Sequence, residues 1–225
     1  MQRSLGTTAI ELSALRDSEL PLLLASLGDL DLGAFAHVSL HAPSALSRMS
    51  EQELISALVD VPAAWPIIVH PDVITTPERW RFLGARLCLE NMDQRKATGR
   101  TLPEMEAVFQ ELPDASFCFD IGHARQVDTT MAVAVSLLRR FRQRLRQVHL
   151  SEVDPYGKHI PIGFTALCGF RRIAKLLPED CPVIIESMVT ADQARHELEV
   201  AVLSLSEEDD SQDFPRTGQA QMGSW

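Results

Sequence analysis

Five of the seven histidines, His41, His70, His123, His149 and His159, fall at or just after the ends of short apolar runs, and Glu90, Asp120 and Glu186 stand at equivalent places. Neutral imidazole nitrogens and anionic carboxylate oxygens arriving together are the donor set that a borderline divalent ion such as zinc, manganese or cobalt requires, because they offset its charge and fill its coordination sphere. A carboxylate at the inner mouth of a strand is costly to bury unless it is paired or bound to a metal. Three recur here, so a divalent metal ion is the expected cofactor. Of the remaining histidines, His37 reads as a core or rim residue and His196 as an exposed helix position.

These residues need strands to carry them. Runs rich in Val, Ile, Phe and Leu recur at Ala9 to Leu12, His37 to His41, Ile67 to His70, Leu87 to Glu90, Phe117 to Asp120, Gln147 to Leu150 and Val183 to Glu186, and each predicts a buried strand. Helix start signals lie between them: Ser50 with Glu53, Thr101 with Glu104 and Thr190 with Gln193 fit capping boxes, and Thr76 precedes Pro77 at a first helical position. The polar residues closing the strands fall 20 to 37 positions apart, the length of one strand plus one crossover.

Repeated parallel units with no dinucleotide fingerprint favour a TIM-type (β/α) barrel over a doubly wound sheet. One side-chain parity is apolar throughout (Val38, Leu40, Leu87, Leu89, Phe117, Phe119, Val148, Leu150, Val183, Ile185) and is expected to face the helices. The other carries His37, Ser39, His41, Glu90, Asp120, His149 and Glu186 into the barrel mouth. Only about seven strands are counted. Arg3 to Gly6 reads as the tail of a helix, so no run corresponds to the first βα unit of an eight-fold barrel, and association between copies is one way to cover the two edges left open.

The chain has 225 residues, 45% of them hydrophobic, enough for a substantial core over residues 1–205. Its 21 basic against 31 acidic side chains give a formal charge of −10, which argues against a dedicated nucleic-acid binder. Residues 206–225 hold Glu207, Glu208, Asp209, Asp210 and Asp213 with Pro, Gly and Gln and little periodicity, and read as an acidic disordered tail. Arg139, Arg140, Arg142, Arg144 and Arg146 follow an apolar helical stretch and are expected on its solvated side. Cys88, Cys118, Cys168 and Cys181 lack CxxC spacing and read as reduced core thiols. Neither a signal peptide nor a membrane-spanning run is visible, so a cytoplasmic protein is expected.

The ordered series HVSLHAP, IIVHPD, LENMD, FDIGHA, VHLSEVD, KHIPIG and VIIES, spread over Thr7 to Leu205, resembles the xylose isomerase-like TIM barrel superfamily. That superfamily holds sugar and sugar-phosphate isomerases and epimerases together with the endonuclease IV type of DNA-repair enzyme (AP endonuclease family 2). The resemblance implies, from the epimerase branch, one metal on Glu90, Asp120, His149 and Glu186, with Glu90 and Glu186 doubling as acid and base and His123 touching a substrate oxygen. From the endonuclease branch it implies further metal ligands at His41, His70 and His159. That branch also places an aspartate two residues before the last histidine, where this chain has Gly157, so the sequence leaves a full third metal site open. The arginine that many ketose epimerases carry shortly after the strand-end histidine is also missing, since His149 is followed by Leu150 to Pro155.

The favoured function at this level is metal-dependent isomerisation or epimerisation of a small sugar, sugar phosphate or sugar acid. A carboxylate would remove a proton to give an ene-diolate, and Lys158 and His159 would recognise phosphate or hydroxyls. A metal-dependent phosphoester hydrolase of the endonuclease IV kind is the alternative, supported by His41 and His70, which a single-metal epimerase does not need. A degenerate, non-catalytic barrel is a third reading.

Overall fold

The computed structural model describes residues 6–206. In chain order the elements are β1 (Ala9–Ser13), α1 (Leu20–Ser26), β2 (His37–His41), α2 (Glu51–Leu58), β3 (Ile67–Val69), β4 (Leu87–Glu90), α3 (Leu102–Glu111), β5 (Ser116–Asp120), α4 (Ile121–Val127), α5 (Ala132–Phe141), β6 (Leu145–Leu150), β7 (Glu152–Val153), β8 (His159–Ile160), α6 (Phe164–Ala174), β9 (Val183–Ile185) and α7 (Ala194–Leu205). The seven expected strands are all present and pair in parallel in the order β1-β2-β3-β4-β5-β6-β9. β1 and β9 lie side by side without a hydrogen-bonded ladder, so the barrel is nearly closed. The acidic tail expected over 206–225 falls outside the described residues apart from Ser206, as does the expected helix tail at Arg3 to Gly6 apart from Gly6.

The expected alternation decides where the core sits. Leu40, Leu87, Leu89, Phe117, Phe119, Val148 and Leu150 turn outward and pack, fully buried, beneath Leu54 and Leu58 of α2, Met105 and Phe109 of α3, Leu137 and Phe141 of α5 and Phe170 of α6. At its centre the Phe109 and Phe141 rings stand 4.6 Å apart and Phe117 lies 5.5 Å from Phe141, the tilted contacts aromatic rings prefer. The inward parity is mostly polar. Ile68, Cys88 and Cys118 alone form a small separate apolar cluster, and the rest of the inner wall is set with Glu11, Ser39, His41, Glu90, Gln147 and His149.

Some local expectations are corrected. Ser50 and Glu53 do form a capping box at α2. Glu104 does not close one with Thr101, because it turns back to the Arg100 amide at 2.8 Å and to the Arg100 guanidinium at 2.7 Å. Gln193 does accept from Thr190, but α7 begins only at Ala194, so the pair closes a turn ahead of the helix. After Thr76 no α-helix forms between β3 and β4. Short 3₁₀ turns at Pro71–Val73, Pro77–Arg79 and Arg81–Arg86 fill that step, since two prolines withhold amide donors and Gly84 breaks the last turn with φ of +51°.

Cys88 and Cys118 are buried as expected, whereas Cys168 lies on the exposed face of α6 and Cys181 is half-buried; all four are free. The arginines around the end of α5 do sit toward solvent, where Arg142 and Arg144 donate to the carbonyls of Leu176, Pro113 and Ala115. Among the described residues no helix is long and apolar enough to cross a membrane.

Phe117→Ala removes the ring that the aromatic cluster shares with the sheet and is expected to destabilise the protein by about 3–5 kcal/mol. Urea unfolding of the wild type and the variant measures it, and a loss below about 1 kcal/mol would mean that the core is not centred here.

Candidate metal centre

The C-terminal parts of five adjoining strands, β2 to β6, and the segments that follow them converge on Glu90. Its Oε2 lies 3.1 Å from His41 Nε2 and 3.3 Å from His70 Nε2, while its Oε1 lies 3.2 Å from His123 Nδ1 and 3.6 Å from His149 Nδ1. Glu186 closes the far side, with Oε1 at 3.3 Å from His149 Nδ1 and Oε2 at 3.5 Å from His159 Nδ1. Asp120 stands 3.3 Å from His123. Among the described residues, ligand atoms fall into four sets, each within 4.8 Å: His41, His70 and Glu90; Glu90, Asp120, His149 and Glu186; Asp120, His123 and His159; and Glu11, His41, His149 and Glu186.

Neighbouring groups fix these side chains. His41 donates from Nδ1 to its neighbour's carbonyl, Ala42 O, at 2.6 Å, which turns Nε2 toward Glu90. Asn91, directly after β4, donates to Asp120 O at 2.8 Å and accepts from Asp120 N at 2.9 Å, and its own carbonyl lies 3.0 Å from His123 Nδ1. Ser151 Oγ is 2.7 Å from His159 Nδ1. Gly122 is required where α4 meets the end of β6, because a Cβ there would lie 2.5 Å from Ser151 O.

The electrostatics are those of buried opposite charges. Burial opposes ionisation of Glu90, yet the surrounding histidines hold it well below the ordinary carboxylate range. His41, despite burial, is raised to about 9 by its hydrogen bond and charge interaction with Glu90, and His123 to about 10 by Asp120 and Glu90. Burial, together with the charges of Asp120, Glu90 and Glu11, pushes Glu186 up to about 8. His70 and His159 are lowered, chiefly by burial.

A cation fits this donor set. Asp120 Oδ2, His149 Nδ1 and Glu186 Oε2 are buried without a hydrogen-bond partner, and all three belong to one four-residue ligand group. Buried polar atoms are rarely left so unless an ion or water satisfies them. All of the residues expected to bind metal, Glu90, Asp120, His149, Glu186, His41 and His70, are brought together. His123 and His159, expected to touch substrate, complete the third set.

Lys158 does not join them. It is exposed on the turn between β7 and β8, where its amide donates to Asp154 Oδ1 at 2.9 Å. Gly157 has φ of +75°, a backbone conformation that side chains rarely adopt, and the Arg95 guanidinium, which Asp93 grips at 2.9 and 3.0 Å, fills the space beside it. Asp120 is the carboxylate of the third set.

One residue of the site escaped the reading of the sequence. Glu11 on β1 points inward and reaches His149 Nε2 at 3.2 Å. The alternation that placed the others would have found it, because Ile10 and Leu12 take the outward parity.

No protein-family model matches the chain, and no curated protein matches it. Solved structures do. An endonuclease IV from Thermus thermophilus is 20% identical, with a TM-score of 0.62 over 90% of this chain and 91% of that one. A xylose isomerase-like TIM barrel protein from Mycobacterium smegmatis, in complex with magnesium, is 14% identical, with a TM-score of 0.52 over 91% and 87%. A 3-keto-D-glucoside 4-epimerase from E. coli is more distant, at 13% identity and a TM-score of 0.48 over 86% and 98%. The chain has the fold of the xylose isomerase-like TIM barrels.

Cation binding must displace the protons held on His41 and His123, so apparent affinity should rise steeply from pH 6 to pH 8 with proton release. Isothermal titration with zinc in buffers of differing ionisation enthalpy measures it; a pH-independent affinity would rule out these ligands. For the metal-free protein the sign is the opposite. A histidine raised from 6.5 to about 9 stabilises fully below 6.5 and loses that contribution as pH climbs through 9. Thermal melts in chelator should therefore decline across that window, and saturating zinc should restore roughly 5–10 °C.

Proposed function

We propose that this chain is a divalent-metal-dependent enzyme that hydrolyses a phosphoester. The observation that carries the reading is Glu90, whose two oxygens face different histidine pairs, His41 with His70 on one side and His149 with His123 on the other. A carboxylate so placed suits two adjoining cation sites, and a second site has no use in a one-metal epimerase. Bound there, paired divalent ions would supply Lewis acidity toward the phosphoryl oxygens and a water acidic enough to ionise near neutral pH. The resemblance in fold to an endonuclease IV supports the same reading.

The chain's own residues do the positioning. Asn91 fixes the end of β5 and with it Asp120 and His123. Ser151 aims His159. The guanidinium of Arg95 is held beside Gly157 by the buried Asp93, which offsets its charge. In the reaction a water oxygen bonds to phosphorus, the ester P–O bond breaks, and the departing oxygen takes up a proton. The acidic surface favours a small or single-stranded ester over a gripped duplex.

Isomerisation or epimerisation of a sugar is the second reading, favoured by one observation. Glu186 is pushed up to about 8 while Glu90 is held ionised, and carboxyls separated in this way suit an acid and a base. Glu90 would then take the proton from carbon and Glu186 return one.

Manganese-loaded protein is expected to cleave bis(p-nitrophenyl) phosphate or an abasic-site oligonucleotide. Both His70→Ala and Glu186→Gln should lower kcat at least about 100-fold, the usual scale for removing a group that stabilises transition-state charge. Solvent deuterium appearing in a ketose panel, with neither ester cleaved, would overturn hydrolysis in favour of the second reading.

A further inference from the structure

Both ring nitrogens of His149 lie within 3.6 Å of carboxylates, on opposite sides of the ring. Nδ1 looks toward Glu186 at 3.3 Å and Glu90 at 3.6 Å yet makes no hydrogen bond. Nε2 looks the other way, toward Glu11 Oε1 at 3.2 Å and Oε2 at 3.3 Å. An imidazole that binds a cation through one nitrogen must keep its proton on the other, and a fixed acceptor there decides which nitrogen is which.

The geometry points to Glu11 as the positioning residue of the metal centre, an outer carboxylate that holds the proton of His149 on Nε2 and so presents the Nδ1 lone pair to the cation. The inference rests on the metal-binding reading above and adds a member to it from the first strand.

Glu11 is built for that task and poorly suited to ligate directly. Its side chain is 5% exposed, and Oε2 is already held by Ser39 Oγ at 2.8 Å and by Gln147 Nε2 at 2.7 Å. Gln147 is itself anchored, because its Oε1 meets His37 Nε2 at 3.0 Å. The carboxylate is thus fixed by donors from β2 and β6 before it meets the imidazole. Gln147 Nε2 also approaches His149 Nε2 at 2.8 Å and competes for it. Without Glu11, that amide would donate to Nε2 and drive the imidazole proton to Nδ1, the nitrogen the cation needs. His41 offers an internal comparison, with the Ala42 carbonyl doing for its Nδ1 what Glu11 does for Nε2 of His149. Glu11 could instead be a fourth ligand beside His41, His149 and Glu186, whose donor atoms lie within 4.8 Å. The two roles differ in stoichiometry.

The test is titration of full-length wild type, Glu11→Gln and Glu11→Ala with cobalt(II), followed by visible absorption, with long-range ¹H–¹⁵N spectra of the zinc-loaded forms. Outer-partner removal typically costs 10–100-fold in metal affinity. Glu11→Ala is expected to bind cobalt about 10–100-fold more weakly at unchanged stoichiometry. Glu11→Gln, which keeps an acceptor, should recover part of that loss. The wild-type spectrum should show His149 protonated at Nε2, and Glu11→Ala should not.

Folded variants that bind within twofold of wild type, or a loss of one equivalent of cobalt in both, would overturn the inference and leave the metal centre standing. Wild type that binds no cobalt would overturn both. Circular dichroism and melting of each metal-free variant separate these outcomes from misfolding.

Discussion

Four carboxylates, Glu11, Glu90, Asp120 and Glu186, are turned into a space that water barely reaches, and the cost of burying their charge governs the rest of the design. An unpaired carboxylate in such a place would either take up a proton or destabilise the fold. Each instead faces imidazoles at 3.1 to 3.6 Å. In the absence of a cation the carboxylates favour the protonated forms of His41 and His123, which are held far above their ordinary value, whereas burial lowers His70 and His159. Glu186 is the least compensated of the carboxylates: burial and the neighbouring carboxylates push it up to about 8 against the pull of His149. A divalent ion relieves the same imbalance by another route, so proton binding and metal binding are alternatives at one set of atoms.

This charge arrangement is tolerable only because the hydrophobic core lies elsewhere. Phe117, Phe119, Val148 and Leu150 face the helices, and their alternates on the same strands face the interior. A register slip of one residue in β5 or β6 would exchange the two sets, placing Asp120 and His149 against Phe141 and the phenyl rings in the mouth. The core and the site therefore enforce each other. Loops at the mouth are pinned by the same logic. Glu197 of α7, itself buried, accepts from Ile162 N at 3.0 Å and from Ser187 Oγ, tying the segments after β8 and β9 together next to Glu186.

The strands and the mouth residues were legible in the sequence because two independent patterns coincide there: an apolar run that announces a buried strand and a polar residue that ends it. Glu90, Asp120, His149 and Glu186 carry both. Glu11 carries only the parity, within a run that is apolar on one side and short, and so it is found only by extending the alternation to β1. The stretch between β3 and β4 misled for the opposite reason. Thr76 and Pro77 are a sound local start signal, but Pro71 and Gly84 confine the chain to single turns on either side. The position of Arg95 beside Gly157 could not have been read, since the two are 62 residues apart and the space Arg95 fills is defined by a side chain that Gly157 lacks.

The seam between β1 and β9 shows how the interior substitutes for backbone pairing. No ladder joins those strands, so nothing in the sheet itself keeps β1 against the rest of the barrel except its pairing with β2. Side chains bridge the lumen instead. Glu11 of β1 and His37 of β2 both reach Gln147 of β6, and Glu11 goes on to His149 of the same strand. These bonds span 110 to 138 residues of sequence, and those to the Glu11 carboxylate are charge-assisted in a poorly hydrated space, where such bonds are strongest. The polar floor beneath the candidate metal centre is thus also the clasp of the barrel. A substitution at Glu11 or Gln147 acts on the imidazole above and on the seam beside it, and the two effects share a single carboxylate.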